Sequence, residues 1–204
     1  MKLNNFEFLL MNNPVRANIQ ANYEMPILRR MTSLQNPKHI LEIGCGNGYG
    51  TTLIKKEFTP ERITAIDLDE KMIAKALRRK LEGVTFKVMD ASCLEFPDNE
   101  FDAVVNFGII HHIPNWRRCL DEIKRVLRSG GEILFEDLST DSFTTWSGLI
   151  LKAFTDHPYD SMYSQDEFTR YLHQIGFTLR EVKEFNWSRL IRFFVVSASL
   201  DSKG

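Results

Sequence analysis

The segment Ile40–Gly50, ILEIGCGNGYG, places glycine at four alternate positions directly after an apolar run. Glycine is unfavourable inside a helix or strand, so this spacing indicates a loop whose backbone another group approaches closely. The apolar run predicts a buried strand, and Tyr49–Phe58 predicts the helix that follows it. In open α/β sheets, ligands bind at the carboxyl ends of the strands, next to such loops. The spacing therefore predicts a ligand over Gly44–Gly48.

Two common nucleotide-binding patterns do not fit this loop. A dinucleotide site of the form G-x-G-x-x-G needs a third glycine, but Tyr49 stands there when counting from Gly44 and Thr51 when counting from Gly46. The Gly-Lys-Ser/Thr ending of a phosphate-binding loop is also missing. A dinucleotide oxidoreductase is therefore disfavoured. The glycines need not serve a phosphate, and they would let a ligand lie directly against the main chain.

Two carboxylates follow the next two predicted strands. Asp67 stands at the end of the predicted strand Arg62–Leu68, and Asp90 closes the apolar stretch that begins at Val84. A carboxylate has two acceptor oxygens and can accept both hydroxyls of a ribose, while the second acid suits a donor on an adenine edge. Either acid alone could instead cap a helix or turn. Together with the loop, at the ends of three successive strands, they predict one nucleoside-shaped crevice.

The pattern of elements predicts an α/β fold. Strands and helices alternate between His39 and Leu138, and the strands are continuous apolar runs, which is typical of a parallel sheet covered on both faces. An N-terminal helix over Asn12–Met31, bent or restarted at Pro26, is predicted to carry one apolar stripe. The stripe consists of Met11, Val15, Ile19 and Tyr23. The later predicted elements are helices at Ser142–Phe154 and Gln165–Ile175 and closing strands at Phe177–Phe185 and Leu190–Ser199.

Composition narrows the class of protein. The 204 residues suit one domain, and the net charge of −1 lacks the basic excess of a general nucleic-acid binder. The basic clusters on the predicted helices are interpreted as solvated faces. Cys45, Cys93 and Cys119 are far apart, so no zinc or redox motif is predicted and a reducing, cytoplasmic setting is favoured. Neither a signal peptide nor a run of membrane-spanning length is predicted.

Four stretches together resemble the class I S-adenosylmethionine-dependent methyltransferases, and most nearly the branch called methyltransferase type 11. They are LEIGCGNGYG, ITAIDLDEKMIAKA, VMDASCLEFPDNEFDAVVNFGIIHHIPN and EIKRVLRSGGEILFED. The resemblance covers about residues 38–138. It implies a Rossmann-like, doubly wound, seven-stranded sheet, mostly parallel with an antiparallel C-terminal strand. It also implies a single domain over residues 1–204. The divisions are a helical cap (1–37), a cofactor-binding core (38–138), a helical lid insert (139–176) and a C-terminal hairpin (177–204), and we expect the cap and insert to close over the ligand.

The resemblance also implies roles for individual residues toward S-adenosylmethionine. Glu42 would organise the loop, whose residues Gly44, Gly46 and Gly48 would pass under the methionine and ribose, with Cys45 and Asn47 as ordinary loop variants. Asp67 would hold the ribose hydroxyls. The remaining implied contacts are Leu68 and Met72 to the adenine face, Asp90 and Ala91 to the adenine edge, and the main chain at Asn106 and Phe107 to the methionine amino group.

The chemistry requires alignment more than activation, because the donated methyl group already sits on a sulfonium. Some acceptors also need a base. His111 and His112 stand where acceptors approach in the family, and in phosphoethanolamine-type methyltransferases a histidine near this point pairs with an N-terminal tyrosine, here Tyr23. The alternative is that a histidine only shapes the loop. No metal site is predicted.

The resulting prediction is a methyltransferase that moves a methyl group from S-adenosylmethionine to the N, O or C atom of a small molecule and releases S-adenosylhomocysteine. A lipophilic or aromatic acceptor is favoured by the side chains of the insert. These are Trp146, Phe154, His157, Tyr159, Met162 and Tyr163. A non-catalytic regulatory domain that binds S-adenosylmethionine, and an RNA or lipid methyltransferase, remain alternatives. A nucleic-acid partner is not expected, since NFGI replaces the base-amino motif after strand four. The oligomeric state stays open.

Overall fold

Seven strands form one mixed sheet in the computed structural model, which describes residues 13–144, 148–150, 152, 158–187 and 191–201. The strands are β1 His39–Ile43, β2 Arg62–Asp67, β3 Val84–Val88, β4 Phe101–Phe107, β5 Leu127–Asp137, β6 Phe177–Trp187 and β7 Ile191–Leu200. The helices are α1 Pro14–Ile19, α2 Met25–Arg30, α3 Tyr49–Phe58, α4 Glu70–Leu77, α5 Trp116–Val126 and α6 Gln165–Gln174. A π-helical turn spans Gln20–Glu24, and 3-10 turns span Ile110–His112, Thr140–Phe143 and Tyr159–Ser161.

The strand order is β3-β2-β1-β4-β5-β7-β6. The first five strands are parallel, and β7 runs antiparallel to both of its neighbours, which confirms the predicted Rossmann-like sheet. From β1 the chain continues to β2 on one side, while β4 pairs on the other, so the strand order reverses at β1. Ile43 is in register with Ile66 and with Asn106. The loops that follow these three strands therefore meet at one crevice, as expected at a switch point.

Helices cover both faces of the sheet, because central strands are apolar on both sides. All five residues of β1 are buried. On one face Leu41 and Ile43 pack with α5 and α6, whose Trp116 and Phe168 rings stack 5.8 Å apart. On the other face Ile40 packs with α2, α3 and α4. None of the helices in the described part of the chain has the length and apolar character needed to cross a membrane.

The N-terminal segment is not one continuous helix, and its second helix begins beside Pro26, where a bend or restart is predicted. It forms α1, the π-helical turn and α2, and the predicted stripe is wrong, since Val15 and Tyr23 are 58% and 50% exposed. The buried residues are instead Glu24, Met25 and Leu28. In the π turn the Met25 N–H bonds the Gln20 carbonyl five residues back, which inserts a residue and rotates the following helix. Met11, from the same stripe, lies outside the described residues.

Hydrogen exchange tests how this segment divides. Helix α1 has no buried residue, whereas α2 contributes Met25 and Leu28 to the core. We therefore expect amides of α1 to exchange faster than those of α2, and S-adenosylhomocysteine to slow exchange in α1 alone, because α1 borders the ligand cavity. Of the predicted helix Asn12–Met31, we therefore expect only the first half to move when the ligand binds. Equal protection of α1 and α2 without ligand would contradict this division.

Candidate active site

A cavity of about 510 Å³ opens where the loops after β1, β2, β3 and β4 meet α1. Its size lies in the range of small-molecule sites. The predicted site residues that line it are Gly44, Cys45, Gly46, Asn47, Asp67, Leu68, Met72, Asp90, Ala91, Phe107 and His112. The predicted site residues that do not line it are Glu42, Gly48, Asn106, His111 and Tyr23. Most of the residues proposed for the cofactor therefore line the crevice that the sequence predicted.

The loop glycines serve different purposes. Gly44, Gly46 and Gly48 all have positive φ angles, of 67°, 52° and 76°. A Cβ on Gly44 would lie 2.5 Å from the Cβ of Ile109, and one on Gly48 would lie 3.0 Å from the Cβ of Ala76. A Cβ on Gly46 would meet nothing within 4 Å. The missing side chains of Gly44 and Gly48 thus make room for the protein itself, and Gly46 is where the backbone is open to a ligand.

Glu42 lies behind the loop and not in the cavity. Its side chain is 1% exposed and accepts a hydrogen bond from the Thr51 hydroxyl at the start of α3. A Cβ on Gly50 would collide with the Glu42 carboxyl, which accounts for the fourth glycine. Burial, with a further contribution from the charge of Asp67, raises the pKa of Glu42 to about 8. Glu42 therefore organises the loop through the first turn of α3.

The raised pKa of Glu42 predicts a pH dependence of stability. The folded state binds this proton more tightly than an unfolded carboxyl of pKa 4.5, so the contribution is complete below pH 4.5 and is lost as pH rises through about 8. Glu42→Gln removes this term and still accepts from Thr51. We expect wild type to lose about 2 kcal/mol more than the variant between pH 5 and 7, measured by urea unfolding. Glu57→Gln on α3 is the control, and parallel curves for Glu42→Gln and wild type would contradict the assignment.

Asp67 joins the glycine loop to the cavity. Its Oδ2 accepts from the Gly46 N–H at 2.8 Å and its Oδ1 from the Asp69 N–H at 2.9 Å. Burial raises the pKa of Asp67, and these two N–H groups partly offset that rise. Because a carboxylate oxygen has two lone pairs, each oxygen retains an acceptor position for a ligand. Leu68, 38% exposed, and Met72, 2% exposed, form the adjoining apolar wall.

Asp90 is exposed and forms a local turn. Its Oδ1 accepts from the Ser92 N–H at 2.8 Å and from the Ser92 hydroxyl at 2.7 Å. The sequence left open whether Asp90 binds a ligand or shapes a turn. In the structure, Asp90 shapes the turn through its two bonds to Ser92. Asp90 and Ala91 also line the cavity, at the edge opposite α1. Oδ2 makes neither of these bonds to Ser92.

The end of β4 is held by a buried hydrogen-bond network. The Asn106 amide donates to the Glu136 carbonyl at 2.9 Å and to Asp137 Oδ2 at 2.8 Å, and its Oδ1 accepts from the Ile109 N–H at 3.0 Å. Asn106 therefore shapes the turn through its side chain. Phe107 lines the cavity.

The two histidines occupy different positions. His111 is 4% exposed, and its Nδ1 lies 2.5 Å from Asp137 Oδ1, behind the cavity wall. His112 lines the cavity, with its ring centroid 4.2 Å from that of His111. Tyr23 is half exposed and does not line the cavity, so the structure does not bring Tyr23 to the cavity beside His112. Tyr23 lies within the π-helical turn Gln20–Glu24.

The comparisons with known proteins agree with this geometry. Residues 41–135 match the sequence model of a methyltransferase domain. This segment is a methyltransferase domain. It includes the glycine loop, Asp67, Asp90 and both histidines.

Three proteins that are similar to this chain extend the comparison beyond the methyltransferase domain. A fatty-acid O-methyltransferase of Mycolicibacterium smegmatis is 41% identical over 101 residues, which are 49% of this chain and 37% of that protein. A phthiotriol/phenolphthiotriol dimycocerosates methyltransferase of Mycobacterium tuberculosis is 35% identical over 132 residues, 63% of this chain and 49% of that protein. The chain thus spans less than half the length of each. A solved S-adenosylmethionine-dependent methyltransferase from Aquifex aeolicus shares the fold, with a TM-score of 0.76, 20% identity, and coverage of 98% of this chain and 100% of that one.

Two residues at or beside the cavity were not singled out from the sequence. Asp137 is fully buried and accepts from His111, from Asn106 and from the Ile110 N–H. Its position at the end of a strand, like that of Asp67 and Asp90, is a signal that could have found it. Arg16, which the sequence placed among solvated basic faces, instead lines the cavity. One of its partners, Glu136, is distant in sequence, so no local pattern marks this position at the cavity.

Proposed function

We propose that the protein is an S-adenosylmethionine-dependent methyltransferase whose acceptor is a lipophilic small molecule methylated on oxygen. The observation that carries the proposal is the junction of Gly46 and Asp67. The one glycine of the loop whose missing side chain leaves open space is bonded through its N–H to a carboxylate that also lines the cavity. The matching domain family and the names of the two mycobacterial relatives support the same reading.

The cavity residues suit the cofactor by their chemistry. Asp67 would accept the ribose hydroxyls with the lone pairs that its N–H partners leave over. Leu68 and Met72 would cover the adenine ring, and Asp90 and Ala91 would meet its edge. The methionine part would lie over Gly46 toward the main chain at Phe107 and Gly108. The open position at Gly46 supports this placement, since a side chain there would fill it.

The side of the cavity where we place the acceptor is partly aliphatic, and Asn13, Arg16, Gln20, His112 and Asn115 also line it. It is bordered by Pro14 and Ala17 of α1 and by Ile109, Ile113 and Pro114 after β4. The aromatic side chains of the insert were expected there. However, Met162 and Tyr163 are buried outside the cavity lining, with Tyr163 against Trp116 at 5.0 Å. Trp146, Phe154 and His157 lie outside the described residues. An aliphatic wall favours a lipophilic acceptor over a flat aromatic one.

The reaction requires the protein to align the acceptor, to exclude water and, for some acceptors, to remove a proton. S-adenosylmethionine supplies a methyl group bound to a sulfonium. When the methyl group is transferred, the sulfur leaves as a neutral thioether. The cavity walls hold the acceptor in line and exclude water. For a hydroxyl acceptor, His112 would accept the hydroxyl proton as general base. A carboxylate acceptor is already ionised at neutral pH and needs no base. His111, held by Asp137, positions the turn that carries His112.

The division of the chain proposed from sequence stays a proposal. Residues 38–138 would hold the cofactor, while the cap (1–37) and the insert (139–176) would shape the acceptor side, and residues 177–204 would close the sheet. A small-molecule partner is part of the same proposal, and a nucleic-acid partner is not. The cytoplasmic setting remains a prediction from the cysteines.

A two-step experiment tests the function. Calorimetric titration with S-adenosylhomocysteine and with NADH comes first, and binding of only the former is expected. Transfer of labelled methyl groups from S-adenosylmethionine to long-chain fatty acids, fatty alcohols and total RNA then follows, with Asp67→Asn as the inactive control. Label is expected in a fatty ester or ether. Binding without transfer to any acceptor would favour a regulatory domain, label in RNA would favour an RNA methyltransferase, and absence of binding would overturn the proposal.

A further inference from the structure

Two buried glutamates and one arginine meet beside the cavity. Arg16 on α1 bonds Glu24 Oε1 through its Nη1 at 2.5 Å, and its Nη2 lies 3.8 Å from Glu136 Oε2 at the end of β5. The same Nη2 is 3.5 Å from the Phe107 carbonyl. Glu24 and Glu136 are 3% and 4% exposed. Two acids thus share one guanidinium in a setting with little solvent.

The charges in this cluster do not balance. One guanidinium compensates one carboxylate, and a second buried carboxylate is costly without a partner. Among the described residues, Glu24 Oε2 and Glu136 Oε2 have no hydrogen-bond partner. Burial raises the pKa of both carboxyls, and the nearby Arg16 charge acts in the opposite direction. The cluster is therefore short of one positive charge whenever both acids are ionised.

Glu136 lies directly behind the cavity wall at Gly108. Gly108 lines the cavity, and a Cβ on it would be 3.4 Å from Glu136 Oε2 and 4.0 Å from Arg16 Nη2, so the cluster lies against the Gly108 backbone. The charged lining residues are also negative in sum, since three aspartates, Asp67, Asp69 and Asp90, accompany two arginines. One of those, Arg79, is engaged by Asn47, whose carbonyl accepts from its Nε at 2.6 Å. The cavity therefore complements a cation.

We propose that Glu136, supported by Glu24, is a positioning residue that favours the positively charged methyl donor over its product. This inference rests on the proposed function. S-adenosylmethionine and S-adenosylhomocysteine differ by one methyl group and one positive charge on sulfur. Both retain the amino-acid ammonium, so a preference between them reports on the sulfonium alone. Arg16 holds the two acids in place and keeps their repulsion low. Loss of the sulfonium charge on transfer would then weaken the hold on the product and assist its release.

The test is the ratio of two dissociation constants. S-adenosylmethionine and S-adenosylhomocysteine are titrated calorimetrically into wild type, Glu136→Gln and Glu132→Gln. Glu132 is a matched control: it lies four residues earlier on β5, on the same face and equally 4% exposed, but it pairs with Arg180 at 2.9 Å, away from the cavity. We expect Glu136→Gln to weaken S-adenosylmethionine about tenfold with S-adenosylhomocysteine within about twofold, and Glu132→Gln to leave the ratio unchanged.

The ratio separates this role from a structural one. A disturbed cap or fold weakens both ligands together, so an equal loss for both, or no loss for either, would overturn the inference and leave the proposed function standing. The same ratio change in Glu132→Gln would also overturn it. Glu24→Gln supplies a second variant if Glu136→Gln does not fold, and a smaller change of the same sign is expected. Failure of wild type to bind either ligand would overturn the proposed function together with the inference.

Discussion

An Asp67→Asn variant will bind S-adenosylhomocysteine about a hundredfold more weakly than wild type. The substitution removes the charge that accepts the ribose hydroxyls, and a hydrogen bond to a charged group contributes about 1.5–3 kcal/mol. It also replaces one carboxylate oxygen by an NH₂ group, which cannot accept from Gly46 or Asp69, whose N–H groups now bond the two oxygens. The loop and the ribose contact are therefore lost together. Calorimetric titration measures the effect.

The matched control is Asp69→Asn, the same change two residues later. Asp69 caps α4 by accepting from the Lys71 N–H at 2.8 Å, and asparagine caps helices as well as aspartate does. Its affinity is expected to stay within about threefold of wild type. Thermal unfolding checks that both variants are folded. If Asp67→Asn binds as tightly as Asp69→Asn, Asp67 does not contact the ligand.

Gly46→Val will abolish measurable binding of S-adenosylhomocysteine while the protein remains folded. The new side chain would enter space that is open in the structure and that the ligand is proposed to fill. At a φ of 52° a branched side chain is also strained, at a cost of about 1–2 kcal/mol in stability. Titration up to about a hundred times the wild-type dissociation constant measures the first effect, and thermal unfolding measures the second.

Gly130→Val separates strain from steric exclusion. Gly130 has a φ of 74°, and a Cβ there would also meet nothing within 4 Å, but it lies near the start of β5, remote from the cavity. Its variant should lose similar stability and bind like wild type. Binding by Gly46→Val would show that the open space is not the ligand position. Loss of binding in Gly130→Val would show that strain alone is responsible.

The sequence by itself determined the sheet and the position of the crevice, because both follow from local signals. Continuous apolar runs mark strands such as β1 and β4, and capping residues mark where helices begin, as the side chain of Asp69 does for α4. Since the strands of such a sheet end at one edge, the acids that follow them could be placed together without knowing any contact. This is why Asp67 and Asp90 were found at the cavity.

Tertiary structure alone decided what each of these residues meets. Gly44, Gly46 and Gly48 of the loop after β1 are alike in sequence. Of these three, only Gly46 faces open space, because Ile109 and Ala76, from distant parts of the chain, occupy the positions beside Gly44 and Gly48. The cap contains a π-helical turn, and Met25 and Leu28 of the helix after it are buried while Val15 and Tyr23 are exposed. Likewise, the partner of Arg16 on β5 is 120 residues away. Local periodicity carries no information about such contacts, since they form only when the cap packs onto the finished sheet.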